Sequence, residues 1–400
     1  MSGQSLEQEH ESDYDDERLE AQRATHVHSS DEKDAILRVD VNEEVIELNN
    51  LRIFSFDELE LDKLTNCTVL ELRKNLLHKL MPFPANLRAN LLELDLFDNK
   101  IRHIGPYFSH CDSPAFMESK LPHLRPDLLA SNGGTGCAYR CLRKLDLSYN
   151  QISSIAGLDD LGPTLEELYL VENKIKVVQG LSKLTSLKLL ELGGNQIRSV
   201  ASGLEALVNL EQLWLGKNKI DTIGPGFVTL RKLKRLSLQA NRLTSIPVGS
   251  FPAGAHPQLT ELYLSENGLT EIANVEALSA LTLLDVSFNP IASLFLNRGH
   301  DTADKDEGLD VPQTVLTPIN FPELEEFWLT DGKIENWNEI KAVFEPFAST
   351  LRTIYLERNP IERDKRYRNK VLLALPFVDQ IDSWPVVNRD DPEQDRAIRR

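Results

Sequence analysis

At a spacing that is mostly 22 or 23 residues, this sequence sets an acidic or aromatic side chain between two leucines. The set begins with Asp95 and Phe97 and runs through Asp146, Tyr169, Glu191, Trp214, Ser237, Tyr263 and Asp285 to Glu326, Trp328 and Tyr355. Two chemistries fit such a set. Carboxylates can work as general acid and base, but only where a pocket shifts their proton affinities and a nucleophile or second base stands close by. Here each carboxylate belongs to a different repeat of an open face, with no nucleophile–base constellation, so no enzyme and no cofactor are expected. The other chemistry is recognition. Trp and Tyr are the usual hot spots of protein interfaces, and acidic neighbours can pair Arg or Lys on a partner. The plainer reading is that aromatics simply suit strands and that scattered exposed ones are ordinary. A whole line of them on one face favours docking.

Other clusters carry less. His110, Cys111, Cys137 and Cys141 fall in one segment, but C-x₃-C with no second pair is a poor zinc spacing, and free thiols are expected with no metal. Gly133, Gly134, Thr135 and Gly136 lack the Lys-Ser/Thr of a phosphate loop and follow no strand. His26 and His28 lie in an acidic, polar stretch and carry no pattern.

The residues are positioned by a recurring motif, L-x-x-L-x-L-x-x-N-x-I/L. It stands as LLELDLFDNKI (91–101), LRKLDLSYNQI (142–152), LEELYLVENKI (165–175), LKLLELGGNQI (187–197), LEQLWLGKNKI (210–220), LKRLSLQANRL (233–243), LTELYLSENGL (259–269), LTLLDVSFNPI (281–291) and LRTIYLERNPI (351–361). CTVLELRKNLL (67–77) puts Cys first, LEEFWLTDGKI (324–334) has Gly332 in the Asn place, and VIELNNLRI (45–53) is a degenerate first copy, making twelve units. Alternating leucines point inward and the residues between them outward, as a two-residue strand period requires. No unit can bury its leucines alone, so the units stack. The expected fold is α/β, a leucine-rich-repeat solenoid with a curved parallel sheet on the concave face and short helices or 3₁₀ turns on the convex face. The Asn amides should form a ladder between coils.

Residues 1–34 hold eleven acidic and three basic side chains, −8 of the formal net charge of −18, and are expected to be a disordered acidic tail. The solenoid is expected over 35–362, with polar insertions at about 105–140 and 297–320, then a C-terminal cap over 363–384 in which Val371, Leu372, Leu375 and Phe377 shield the last coil, and a polar tail over 385–400. The acidic balance argues against nucleic acid and for a basic partner surface. No apolar run is long enough to span a membrane, the start has no signal-peptide pattern, and four cysteines are too few for a disulfide scaffold, so the expected location is nucleus and cytoplasm.

The stretches LYLVENKI (168–175), LWLGKNKI (213–220), LEEFWL (324–329) and YLERNPIERDKRYRNKVLLALPFVDQID (355–382) resemble the Sds-type leucine-rich-repeat regulatory subunit of protein phosphatase 1, the regulatory subunit 7 family. The resemblance covers about residues 45–382. It implies a non-catalytic subunit that docks the phosphatase catalytic subunit on its concave face, through Asp146, Tyr169, Glu191, Trp214, Asp285, Glu326, Trp328 and Tyr355. It also implies roles in phosphatase maturation, nuclear targeting and chromosome segregation, and a ternary complex with the small third-type phosphatase inhibitor. Arg38-Val39-Asp40-Val41 falls short of an R-V-x-F docking motif, which leaves the folded face to bind. The alternative is a scaffold of the same repeat type for another complex, spliceosomal or axonemal.

Overall fold

A computed structural model describes residues 42–81, 83–108, 139–296 and 313–386. The expected acidic tail, most of both insertions, and all but the first two residues of the polar C-terminal tail lie outside these residues, as do His26, His28, His110, Cys111, Cys137 and the glycine run at 133–136.

Twelve three-residue strands follow one another in sequence order through a single sheet. They are β1 (Val45–Glu47), β2 (Val69–Glu71), β3 (Glu93–Asp95), β4 (Lys144–Asp146), β5 (Glu167–Tyr169) and β6 (Leu189–Glu191), then β7 (Gln212–Trp214), β8 (Arg235–Ser237), β9 (Glu261–Tyr263), β10 (Leu283–Asp285), β11 (Glu326–Trp328) and β12 (Thr353–Tyr355). All neighbours among them pair parallel, with each strand's middle residue opposite the next strand's middle residue: Leu168 faces Leu190, and Leu190 faces Leu213. Those middle residues are buried, as are the leucines two positions on, such as Leu170, Leu192 and Leu215. Each such side chain contributes roughly 1.5–3 kcal/mol on burial before the cost of ordering the chain. Among the described residues, the convex return segments hold 3₁₀ turns and two helices, α1 (Ala85–Asn90) and α2 (Trp337–Phe344). Cys67 takes the first-leucine place and is fully buried; burial pushes its thiol up to about 11.

The Asn ladder is present. In Asn195, Oδ1 accepts from the backbone N–H of Ile175 in the preceding coil (3.0 Å), and Nδ2 donates to Leu170 O (2.8 Å) and Leu192 O (3.0 Å). The same bonds recur at Asn75, Asn99, Asn150, Asn218 and Asn289. Just before each Asn the chain turns through the left-handed region. Lys74, Tyr149, Glu172, Phe288 and Arg358 all have φ between 52° and 62°. For residues with a Cβ this costs about 1–2 kcal/mol each. It is held in place by a bond from that residue's own N–H to the next coil, as from Tyr149 N to Val171 O at 2.7 Å.

Both insertions leave the sheet register intact, since β3 pairs directly with β4 and β10 with β11. The stems of the first are joined by ring contact between Phe108 and Tyr139 (centroids 5.0 Å apart), and those of the second by Leu296 N donating to Gln313 O at 2.7 Å.

The C-terminal end differs from expectation in two ways. The cap adds two strands that lack the motif, β13 (Gln380–Ile381), parallel to β12, and β14 (Trp384–Pro385), antiparallel to β13. The cap helix, α3 (Tyr367–Ala374), buries Tyr367 and Val371, with Leu375 just beyond it, but Leu372 faces solvent and Phe377 is half-buried. Level with Tyr355, at the third strand position, stands Asp382, whose Oδ1 accepts from Leu356 N (2.8 Å) and Glu357 N (3.0 Å), where inner coils use a strand carbonyl, as Leu329 N does with Tyr355 O, while Oδ2 takes the Tyr367 hydroxyl (3.0 Å).

Candidate protein-docking face

Every outward residue named from the sequence lies on the concave side of the sheet, and the third position of each strand forms one continuous row. Register places Asp146, Tyr169, Glu191 and Trp214 on adjacent strands, and likewise Asp285, Trp328 and Tyr355. The row divides in two. Its first half is acidic, with Glu71, Asp95, Asp146 and Glu191 interrupted only by Tyr169. Its second half is aromatic, with Trp214, Tyr263, Trp328 and Tyr355.

In the acidic half, Asp95 and Asp146 each spend one oxygen on the backbone, Asp95 Oδ1 accepting from Phe97 N (2.9 Å) and Asp146 Oδ1 from Ser148 N (2.8 Å). Partial burial, reinforced by the negative charge of Asp146, raises both Asp95 and Glu191 above the usual carboxylate range. Burial and the carboxylate of Glu167 raise Tyr169, whose hydroxyl donates to Glu167 Oε2 at 2.9 Å. Arg73 counters part of this charge: Nη1 lies 3.5 Å from Asp95 Oδ2, and its guanidinium stacks over Phe97 at 4.7 Å. Crowded carboxylates held partly out of water favour an incoming cation, because it restores the ionised form they disfavour alone.

The aromatic half is less exposed than period alone suggests. Trp214 and Tyr263 stack with centroids 6.2 Å apart and planes 25° from parallel; Tyr263 meets Trp328 edge-on at 6.4 Å, and Trp328 meets Tyr355 at 5.2 Å. These rings are half-buried against one another. The first two contacts each cross an intervening strand, and the short residues there, Ser237 and Asp285, are 1% and 6% exposed. Asp285 also gives Oδ1 to Ser287 N at 2.9 Å. It therefore lies beneath the rings rather than among them. Glu326 is half-buried beside them and accepts from Trp328 Nε1 at 3.1 Å.

Several residues of this face were missed from the sequence. Glu167, Gln212 and Glu261 stand two positions before an aromatic, and Arg235 pairs with Glu261 at 2.8 Å. The two-residue period puts them on the same face, so the signal was there. Tyr149, 47% exposed and 4.9 Å from Phe97, was missed because it lies past the strand, at a left-handed position. Among the described residues, no group of three or more His, Cys, Asp or Glu could hold a metal ion, and no helix is long and apolar enough to cross a membrane.

Leucine rich repeat family models match residues 140–157, 163–206, 185–243 and 231–291. In solved structures, the fold is like that of a Leptospira interrogans leucine-rich-repeat protein (TM-score 0.53, 24% identity, 80% of this chain and 73% of that one). It is also like that of an internalin from Listeria monocytogenes (TM-score 0.55, 20% identity, 90% and 94%). In sequence, the chain is 33% identical over 174 residues to the protein phosphatase 1 regulatory inhibitor subunit PPP1R7 homolog of Arabidopsis thaliana, 43% of this chain and 51% of that protein. It is 48% identical over 50 residues to protein phosphatase 1 regulatory subunit 7 of Xenopus tropicalis and of Homo sapiens, 12% of this chain in each case and 14% and 13% of theirs. The match thus spans about half of the plant relative and a short part of the animal ones.

Proposed function

The chain is a leucine-rich-repeat solenoid whose sequence relatives are regulatory subunit 7 proteins of protein phosphatase 1, and from that premise we propose that it is a non-catalytic subunit that binds the phosphatase catalytic subunit on its concave face. The observation that carries the reading is the ring row from Trp214 to Tyr355, set beside the carboxylates from Asp95 to Glu191 on one stiff sheet. Large aromatics in a row offer contact area at low entropic cost, and the acidic half sets the orientation of a partner with a basic patch. The contact residues are Asp146, Tyr169, Glu191, Trp214, Glu326, Trp328 and Tyr355, with Asp285 reached only where the rings part. Control of phosphatase maturation, localisation or activity in nuclear and mitotic dephosphorylation belongs to the same proposal, as does a ternary complex with the small third-type inhibitor.

The test is capture of the catalytic subunit by a Trp214→Ala, Trp328→Ala double variant. Capture should be lost while circular dichroism stays unchanged, each Trp contributing about 2 kcal/mol or more of affinity. Undiminished capture by the folded variant defeats the reading. Recovery of ribonucleoprotein or axonemal proteins without phosphatase from cells would favour a scaffold of another complex.

A further inference from the structure

A feature of the ring row recurs too regularly to be incidental. In four strands the polar atom of the outward aromatic donates to the side chain two residues earlier on the same strand. Tyr169 Oη donates to Glu167 Oε2 (2.9 Å), Trp214 Nε1 to Gln212 Oε1 (3.4 Å), Tyr263 Oη to Glu261 Oε2 (2.9 Å) and Trp328 Nε1 to Glu326 Oε2 (3.1 Å). Residues i and i−2 of a strand share a face about 7 Å apart. A Tyr or Trp spans that gap only when its ring lies back along the strand. The bond therefore selects one ring orientation.

At β9 the arrangement is strongest. Both oxygens of Glu261 are engaged: Oε1 accepts from Arg235 Nε on β8 (2.8 Å) and Oε2 from Tyr263 (2.9 Å). Arg235 thereby anchors the carboxylate from the next strand. Tyr263 is the ring that touches both tryptophans, and its hydroxyl is pushed up to about 12 by burial and by Glu261, so it remains a donor at neutral pH.

We infer that Arg235 and Glu261 are positioning residues that fix Tyr263, and through it Trp214 and Trp328, in the orientation a partner meets. The inference rests on the docking reading above and adds preorganisation to it. A ring already held in its bound orientation loses less side-chain freedom on association than a mobile one.

The experiment is ¹⁹F NMR on the full chain labelled with 5-fluorotryptophan. The four Trp residues give four resonances, assigned by single Trp→Phe variants. In Glu261→Ala, the Trp214 and Trp328 resonances should shift and broaden while those of Trp337 and Trp384 stay in place and report an intact fold. Glu261→Gln keeps one oxygen, enough for Tyr263 or Arg235 but not for both, and should restore the wild-type pattern only in part. Binding to the phosphatase catalytic subunit should weaken about tenfold in Glu261→Ala, mainly through faster dissociation. Unmoved Trp214 and Trp328 resonances overturn the inference. So does a Glu261→Gln spectrum as altered as that of Glu261→Ala, or displaced rings with unchanged affinity. A wild-type chain that fails to bind the catalytic subunit defeats the docking reading instead, and the spectra still decide the positioning.

Discussion

The indole of Trp214 and the phenol of Tyr263 stack 6.2 Å apart although a whole strand, β8, runs between theirs. The stack is possible because the strand between them offers only Ser237 at their level, and Ser237 is 1% exposed. Ser237→Leu should therefore drive a wedge between the rings. Overpacking of this kind costs about 1–3 kcal/mol. The expected outcome is a fall in Tm of a few degrees, with catalytic-subunit affinity reduced more than in Ser237→Ala, which leaves the stack alone. Equal affinities for the two variants would show that the stack does not matter to binding.

Asp95 and Glu191 titrate above the usual carboxylate range, chiefly through burial and then through Asp146. Their folded forms bind protons more tightly than the unfolded chain does, so their ionisation lowers stability as pH rises through the folded values. A cationic partner reverses the preference, since it favours the ionised form. Binding then releases protons, and affinity falls as pH drops through the window just above the ordinary carboxylate values. Calorimetry in buffers of different ionisation enthalpy should detect proton release that diminishes in Glu191→Gln. Release unchanged in that variant would place the proton elsewhere.

The strands, the concave row and the Asn ladder were legible because each follows from a local period: Leu168 and Leu170 point in and Tyr169 points out wherever the repeat occurs. What was not legible depends on distant side chains. Period alone sets Asp285 and Trp328 at equal height, but Asp285 is 6% exposed because rings from β9 and β11 meet over it. The cap strands β13 and β14 lack the leucine motif. They form because Asp382 takes Leu356 N and Glu357 N on its carboxylate and Arg368 holds the hairpin through Ile381 O (3.0 Å) and Pro385 O (2.8 Å). Gly332 reads as a gap in the ladder. The structure shows a tighter approach, in which a Cβ there would stand 2.6 Å from Asn359 Oδ1.

Removing a ladder rung in mid-array tests the energetics directly. Asn195→Ala leaves Ile175 N, Leu170 O and Leu192 O without their side-chain partner in a buried setting. The cost should be about 1–3 kcal/mol. Because coils contact only their neighbours, amide exchange should quicken at Ile175 and in the coil of Asn195 and stay slow near Asn99. A uniform change along the whole array would point to global rather than nearest-neighbour coupling.

The joint without an Asn is held differently. Gly332 offers no side chain to the preceding coil, but Glu339 of α2, 8% exposed, reaches back to it: Oε2 accepts from Leu294 N (2.8 Å) and Ser293 Oγ (3.0 Å). Asn336 caps the same helix, accepting from Asn338 N at 3.0 Å and donating to Glu339 Oε1 at 3.3 Å. A buried carboxylate thus fastens this joint to the preceding coil by bonds of its own, beside the stem of the second insertion. Glu339→Ala should cost about 1.5–3 kcal/mol, because the bonds are charge-assisted and leave Leu294 N unpaired. Exchange at Leu294 and along 337–344 should accelerate together, since one contact fastens both. Glu339→Gln keeps an acceptor and should recover part of the loss. If Leu294 stayed protected in Glu339→Ala, the leucines of the two coils would be shown to hold this joint without the carboxylate.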